Sequence, residues 1–160
     1  MTTSFDPSTV RARREQMLLR LLFRATHTMN AEMARRIRAR GWTAFQPSFT
    51  TLLGHLDTEG TTITTLAARI GTSRQAVSQL AKAIADAGFV ERLPHPTDGR
   101  SVLIRHTDTG RRILIDAIEV MIAIEADYAE RTSAADIDEL KRRLATLLER
   151  IDPAGALQPE

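Results

Sequence analysis

Residues 73–88 read S-R-Q-A-V-S-Q-L-A-K-A-I-A-D-A-G, and the rest of the chain is best understood outward from them. Val77, Leu80, Ala81 and Ile84 recur at i, i+3, i+4, i+7, which is one face of a helix. The other face carries Arg74, Gln75, Ser78, Gln79 and Lys82, and no carboxylate appears before Asp86. A helix that buries one stripe and offers Arg, Gln, Ser and Lys on the other suits the major groove of duplex DNA. There Arg pairs with guanine and Gln with adenine. The alternative is an ordinary solvated polar face, and the helix alone does not separate the two.

Its neighbours do. Gly88 is a natural helix stop. Residues 89–93, F-V-E-R-L, predict a strand, and residues 94–99, P-H-P-T-D-G, a loop in which Asp98-Gly99 is a turn signal. Residues 100–105, R-S-V-L-I-R, return as a second strand. Upstream, residues 65–70 predict a short helix with Leu66, Ala67 and Ile70 inward, and Gly71 makes the turn. Thr72 with Gln75, or Ser73 alone, caps the following helix. Residues 61–64 predict a short strand beside the hairpin. This order is that of a winged helix-turn-helix. Its second helix would read base edges, with Lys82 nearer phosphate. The wing, with Arg92, His95 and Arg100 about its tip, would lie along phosphates or enter the minor groove.

Residues 66–80, L-A-A-R-I-G-T-S-R-Q-A-V-S-Q-L, with 87–92, A-G-F-V-E-R, and 98–110, D-G-R-S-V-L-I-R-H-T-D-T-G, together resemble the MarR family of bacterial transcription regulators. The family's Asp-x-Arg wing signature is matched by Asp98 and Arg100, and the Thr and Gly opening its next helix by Thr107 and Gly110. Two departures stand out. His106 occupies a position that is usually apolar, and the wing carries Pro94 and Pro96 with little lysine. The resemblance spans roughly residues 12–151. It implies a homodimer on a pseudo-palindromic site in double-stranded DNA, modulated by a small-molecule effector that is often aromatic or anionic. Asp98 and Gly99 would shape the wing, Asp98 through an ion pair to Arg100 at the wing base.

Composition narrows the alternatives. The chain has 160 residues, enough for one domain with a core and an appended dimer arm. Aromatics are 4%, which argues against stacking single-stranded bases on aromatic platforms. With no cysteine, disulfides and thiolate metal sites are excluded. The start M-T-T-S-F-D-P-S-T-V does not read as a signal peptide. Residues 113–126 are broken by Asp116, Glu119 and Glu125 and do not read as a membrane span. A cytoplasmic location without membrane partners is expected. Net charge is +2, unevenly distributed: residues 1–60 hold nine Arg against five Asp/Glu, and residues 107–160 seven Arg/Lys against twelve. Residues 61–106, with six basic against three acidic, are basic where phosphate would approach.

The fold class expected is mainly α (α+β), a winged helix-turn-helix over residues 41–106 between terminal helices that form a dimerisation module. Residues 1–9 read as a flexible arm. Residues 10–40 read as one helix, with Met17, Leu18, Leu21, Leu22, Ala25, Met29, Met33 and Ile37 at helical spacing. Arg35, Arg36, Arg38 and Arg40 near its end complement the helix dipole, with phosphate contact as the alternative. Residues 43–57 read as a helix, opened by a Thr43/Gln46 capping box or by Pro47 at its first position. Thr107 caps a helix reaching about residue 131, whose apolar positions cover more than one face and call for a second partner. Ser133 and Asp136 open the last helix, stopped by Pro153, and residues 153–160 form a tail. These helices, 107–152, would pair with the first helix and with a second copy.

No catalytic set emerges. There is no Gly-rich phosphate loop, no G-x-S-x-G elbow and no H-E-x-x-H, so neither an enzyme, a cofactor nor a metal is expected, although scattered residues can be gathered by folding. His27 reads as a core histidine or a polar anchor in an effector pocket. Trp42 reads as core or pocket wall, and His55 as a further pocket candidate. The rival to a DNA-binding regulator is a winged-helix module that binds protein, which an acidic or apolar reading face would favour.

Overall fold

In a computed structural model describing residues 6–95 and 101–152, the N-terminal region holds two helices where one was expected. The first, α1 (Pro7–Glu15), starts at Asp6, whose carboxylate accepts from the Ser8 and Thr9 amides at 3.1 and 3.2 Å. The Ser8 and Thr9 hydrogen bonds, hydroxyl and amide, lower the Asp6 pKa to about 2. Pro7 at the first position suits a helix start, so residues 7–9 are helical rather than arm. Met17 is extended (φ −65°, ψ 134°), and α2 (Leu18–Ala39) begins after it. The break has a packing cause. None of α1 is buried, so no core contact forces its axis to continue into α2.

The next expected helix is also shorter. Residues 43–48 form turns, with the Phe45 amide donating to Trp42 O and the Phe49 amide to Gln46 O, and only α3 (Phe49–Leu53) is α-helical. Pro47 has no amide to donate and disfavours helix in the residue before it, so the Thr43/Gln46 capping box does not form. These turns seat a ring cluster. Phe89 lies 6.1–6.2 Å, centroid to centroid, from Trp42, Phe45 and Phe49.

The head follows the expected order. Strand β1 (Thr61–Thr62) leads into α4 (Ile63–Ile70), capped by Thr62; Gly71 turns in the left-handed region at φ +71°; Ser73 caps α5 (Arg74–Asp86) through the Ala76 amide at 3.1 Å. Beyond α5 the Gly88 amide bonds Ala85 O and the Phe89 amide bonds Ile84 O. This Schellman closure requires the positive φ of Gly88, +82°. Strands β2 (Val90–Pro94) and β3 (Val102–His106) form the wing in a sheet of order β1-β3-β2, with Glu91 opposite Arg105 and Arg92 opposite Ile104.

Two helices complete the chain: α6 (Asp108–Arg131), capped by Thr107, and α7 (Ala134–Ile151), capped by Ser133. The Thr107 hydroxyl donates to Gly88 O at 2.7 Å and accepts the Gly110 amide at 2.9 Å, tying the end of α5 to the start of α6. Gly110 is needed there, because a Cβ would stand 1.8 Å from Phe89 O. One core joins Met33, Ala34 and Ile37 of α2 to α3, to Leu66 and Ala67, to Val77, Ala81 and Ile84, to Phe89, Val90 and Ile104, and to Ile113, Val120 and Ile124 of α6. Leu80 packs against it half-buried. Among the described residues no helix is long and apolar enough to cross a membrane.

Candidate nucleic-acid interface and cavity

Ser73 fixes where α5 begins, and the buried Val77–Ala81–Ile84 stripe fixes how it is rotated. Together they turn Arg74, Gln75, Gln79 and Lys82 to solvent and leave Ser78 half-exposed. Among the described residues Arg74 has no ion-pair partner. Lys82 pairs with Asp86 at 2.7 Å, with both side chains about two-thirds exposed, at 66% and 64%. A surface pair of this kind is worth only ~0.3–0.5 kcal/mol and yields readily to a phosphate. The first helical amides of α5, apart from the capped Ala76 amide, point outward without intrahelical partners.

The wing lies against this face. Arg92 on β2 is exposed, and its Nη2 stands 3.5 Å from Ser78 Oγ. Two residues 14 apart in sequence are thereby brought to one edge. Across the hairpin, Arg105 donates from Nε and Nη2 to Glu91 Oε1 at 2.9 and 2.8 Å. This pair stiffens the wing. His95 is half-buried, and its amide donates to Ser101 O at 3.0 Å. Asp98, Gly99 and Arg100 lie outside the described residues.

The arginines ending α2 are engaged within the chain. Arg35 and Arg36 both hold Glu32, lowering its pKa to about 2, and Arg36 also pairs with Asp127 of α6. Arg38 donates to Phe45 O at 3.1 Å, and Arg40 pairs with Glu119 at 2.8 Å. Arg36 and Arg40 hold α2 against α6, Arg38 holds the turn after it, and Arg35 pairs within α2.

A cavity of about 460 Å³ opens where α2, α3 and α6 meet the head. Its apolar wall includes Met33, Phe45, Leu53, Ile113, Ile118 and Met121, and its polar positions are Thr26, Asn30, Thr50, Thr51, His55 and His106. Of the three pocket residues expected from sequence, only His55 lines it. Trp42 instead packs edge-on against Phe89 and donates from Nε1 to Asp116, because the turn after α2 points it at the ring cluster. His27 is exposed on the unburied half of α2, and is neither core nor part of this wall. His106, noted only as a departure at an apolar position, was the residue missed. It is 6% exposed, and burial, with the charge of Arg111, pushes its imidazole below the usual histidine pKa. One signal was present. Thr26 and Asn30 interrupt, at i and i+4, the stripe that continues to Met33 and Ile37.

The arms show a third surface. Met17, Leu18, Leu19, Leu21 and Phe23 of the α2 start, Leu114, Ile115, Ile118, Met121 and Ile122 of α6, and Leu140, Leu148 and Ile151 of α7 are exposed. None of α7 is buried.

Residues 47–101 match the model of the MarR family. No curated protein sequence matches the chain. Among solved structures, the chain is similar to a MarR-family transcriptional regulator from Rhodococcus sp. RHA1, at 22% identity and TM-score 0.66, covering 86% of this chain and 97% of that one. It is similar to the transcriptional repressor CouR bound to a 23-mer DNA duplex, at 23% identity and TM-score 0.64, over 83% of this chain and 93% of that one. CouR from Rhodococcus jostii RHA1 bound to p-coumaroyl-CoA matches at 19% identity and TM-score 0.61, over 87% and 94% of the two chains. At these identities the likeness shows the fold alone.

Proposed function

From the premise that this chain belongs to the MarR family of transcriptional regulators, we propose that it binds a pseudo-palindromic site in duplex DNA as a homodimer and is modulated by a small molecule. The observation that carries the reading is the outward face of α5. Arg74, Gln75 and Gln79 stand open to solvent there and Ser78 is half-exposed, with no carboxylate among them and Arg92 of the wing alongside. Arg74, Gln75, Ser78 and Gln79 face base edges. Lys82, Arg92 and His95 serve the backbone, joined by Arg100 from the wing tip. A face that is neither acidic nor apolar does not suit the rival, a protein-binding winged helix.

The homodimer rests on the exposed apolar side chains of α2, α6 and α7. Apolar surface exposed on this scale calls for a partner. A two-fold pair would present two α5 helices about one DNA turn apart, roughly 34 Å. The chain would work in the cytoplasm, where such DNA lies. The effector site is the cavity between arms and head, since a ligand there touches both moving parts. CouR, a protein of similar fold, is known in a complex with p-coumaroyl-CoA, so this fold is compatible with small-molecule binding.

The test is a gel-shift with DNA from upstream of the chain's own gene, titrated with salt. Specific binding whose affinity falls linearly with log salt is expected. Equal affinity for that DNA and for random duplex at every salt concentration would refute sequence-specific recognition.

A further inference from the structure

The cavity's lining has a property that bears on what fills it. Its sixteen residues include no Lys, Arg, Asp or Glu. The polar groups are hydroxyls, one amide and two imidazoles. Each imidazole has a buried Nδ1 with no hydrogen-bond partner. That atom has no open surface, so each ring would meet a ligand through Nε2, which makes no hydrogen bond among the described residues. A ring left unpaired beside an apolar wall is costly, and a ligand's hydrogen-bonding group lowers that cost. No charged side chain among the lining residues compensates an anion. Arg111, whose charge bears on His106, pairs with Asp108 and donates to the His106 carbonyl at 3.1 Å. The Gly110 amide at the start of α6 is taken by Thr107. A carboxylate placed here would be desolvated against an apolar wall without a counter-charge.

We propose that the cavity takes an uncharged ligand, a hydrophobic frame bearing a hydroxyl or similar neutral hydrogen-bonding group, and that His55 and His106 read that group. This rests on the reading of the cavity as the effector site. An imidazole suits the task, because its Nε2 donates or accepts according to the tautomer. Both residues are wired into the head by their backbones. Arg69 of α4 donates to His55 O at 3.0 Å while pairing with Asp57, and His106 sits in β3 opposite Val90. Thr26, Asn30, Ile118 and Met121 belong to the arms. A bound molecule therefore bridges the two.

Three probes on one two-ring frame separate the chemistry: naphthalene, 2-naphthol and 2-naphthoate, titrated calorimetrically into the full-length protein at pH 7.5. The expected order is 2-naphthol tightest, naphthalene about tenfold weaker, and 2-naphthoate weakest. A tenfold step corresponds to ~1.4 kcal/mol. His55→Leu and His106→Leu should each bring 2-naphthol down towards naphthalene and leave naphthalene unchanged; if His106→Leu fails to fold, His55→Leu carries the test. Binding of 2-naphthoate as tight as 2-naphthol overturns the proposal. So does binding of none of the three, as a cavity filled by side chains of the second copy would give. The same ligands are added to protein bound to its upstream DNA, followed by fluorescence anisotropy. If 2-naphthol binds with the expected order yet leaves DNA affinity unchanged, the ligand chemistry stands and the effector reading fails.

Discussion

Replacing Gly110 with alanine sets helix propensity against packing, and the two predict opposite signs. Gly110 is the third residue of α6. Propensity alone makes Gly110→Ala stabilising, by up to ~1 kcal/mol. The fold places a Cβ there 1.8 Å from Phe89 O, 2.9 Å from Phe89 C and 3.2 Å from His106 Nδ1. Restoring ordinary contact at ~3.5 Å moves the start of α6 away from the α5–β2 junction by ~1.5 Å. That retreat breaks the Thr107 amide bond to Phe89 O (3.2 Å) and the Thr107 hydroxyl bond to Gly88 O (2.7 Å). Two such bonds are worth ~1 kcal/mol each and overpacking costs ~1–3 kcal/mol. Less the propensity gain, the net loss is ~2–4 kcal/mol, or roughly 5–15 °C in Tm for a chain of this size. Urea and thermal denaturation at one fixed protein concentration measure it, since stability of a dimer depends on concentration. A variant as stable as the parent, or more so, would refute the close approach.

Other expected outcomes follow from the same geometry. Arg74→Ala should cost ~1–3 kcal/mol on the specific site and relax preference among sites, whereas Arg92→Ala should weaken all duplexes alike and lower the salt slope by about one; equal loss on specific and random DNA by both variants would undo that division of roles. Ile115→Glu with Ile122→Glu, both exposed on α6, should give a monomer in sedimentation at micromolar concentration, and a dimer that persists would move the interface elsewhere. Burial, and then the charge of Arg111, push the His106 pKa below the ordinary histidine value, so the unfolded chain binds more protons than the folded one as pH falls through the ordinary histidine range. Stability should therefore decline from about pH 7 towards pH 5, and His106→Leu should flatten that decline in urea midpoints.

The head was legible because its signals are local. Gly71, Ser73 and Gly88 each impose a backbone conformation or a cap within a few residues, and the Val77–Ala81–Ile84 stripe sets the rotation of α5 without reference to anything distant. The break at Met17 was not legible, because no glycine or proline marks it and the apolar periodicity continues across it. That periodicity is real, but half of it faces outward: Leu18 and Leu21 are 54% and 49% exposed, and Met33 and Ile37 are buried. A stripe announces a partner without saying whether it lies in the same chain. Phe49–Leu53 is shorter than the expected helix because Phe45 and Phe49, four apart as on a helical face, meet instead through turns around Phe89. The cavity was the least accessible feature. Its walls come from residues between Thr26 and Met121, and only the tertiary meeting of α2, α3 and α6 brings His55 to the same space as His106.

That meeting bears on how a ligand could act at a distance. The ion pairs Arg36–Asp127 and Arg40–Glu119 link α2 to α6. The head joins them at the start of α6, where Thr107 grips Gly88 and Gly110 lies under Phe89, and both grips belong to the segment that ends α5. On the proposed reading, a molecule wedged between Ile118 and His106 would press on this joint, and a small tilt there would swing the α5 face. In the proposed dimer two such swings would change the spacing between reading faces, which a fixed DNA pitch tolerates poorly. The ligand cannot release DNA by more than its own preference for the tilted arrangement. A hundredfold loss of DNA affinity therefore demands at least a hundredfold difference in ligand affinity between the free and DNA-bound protein, and the reciprocal measurement must return the same factor.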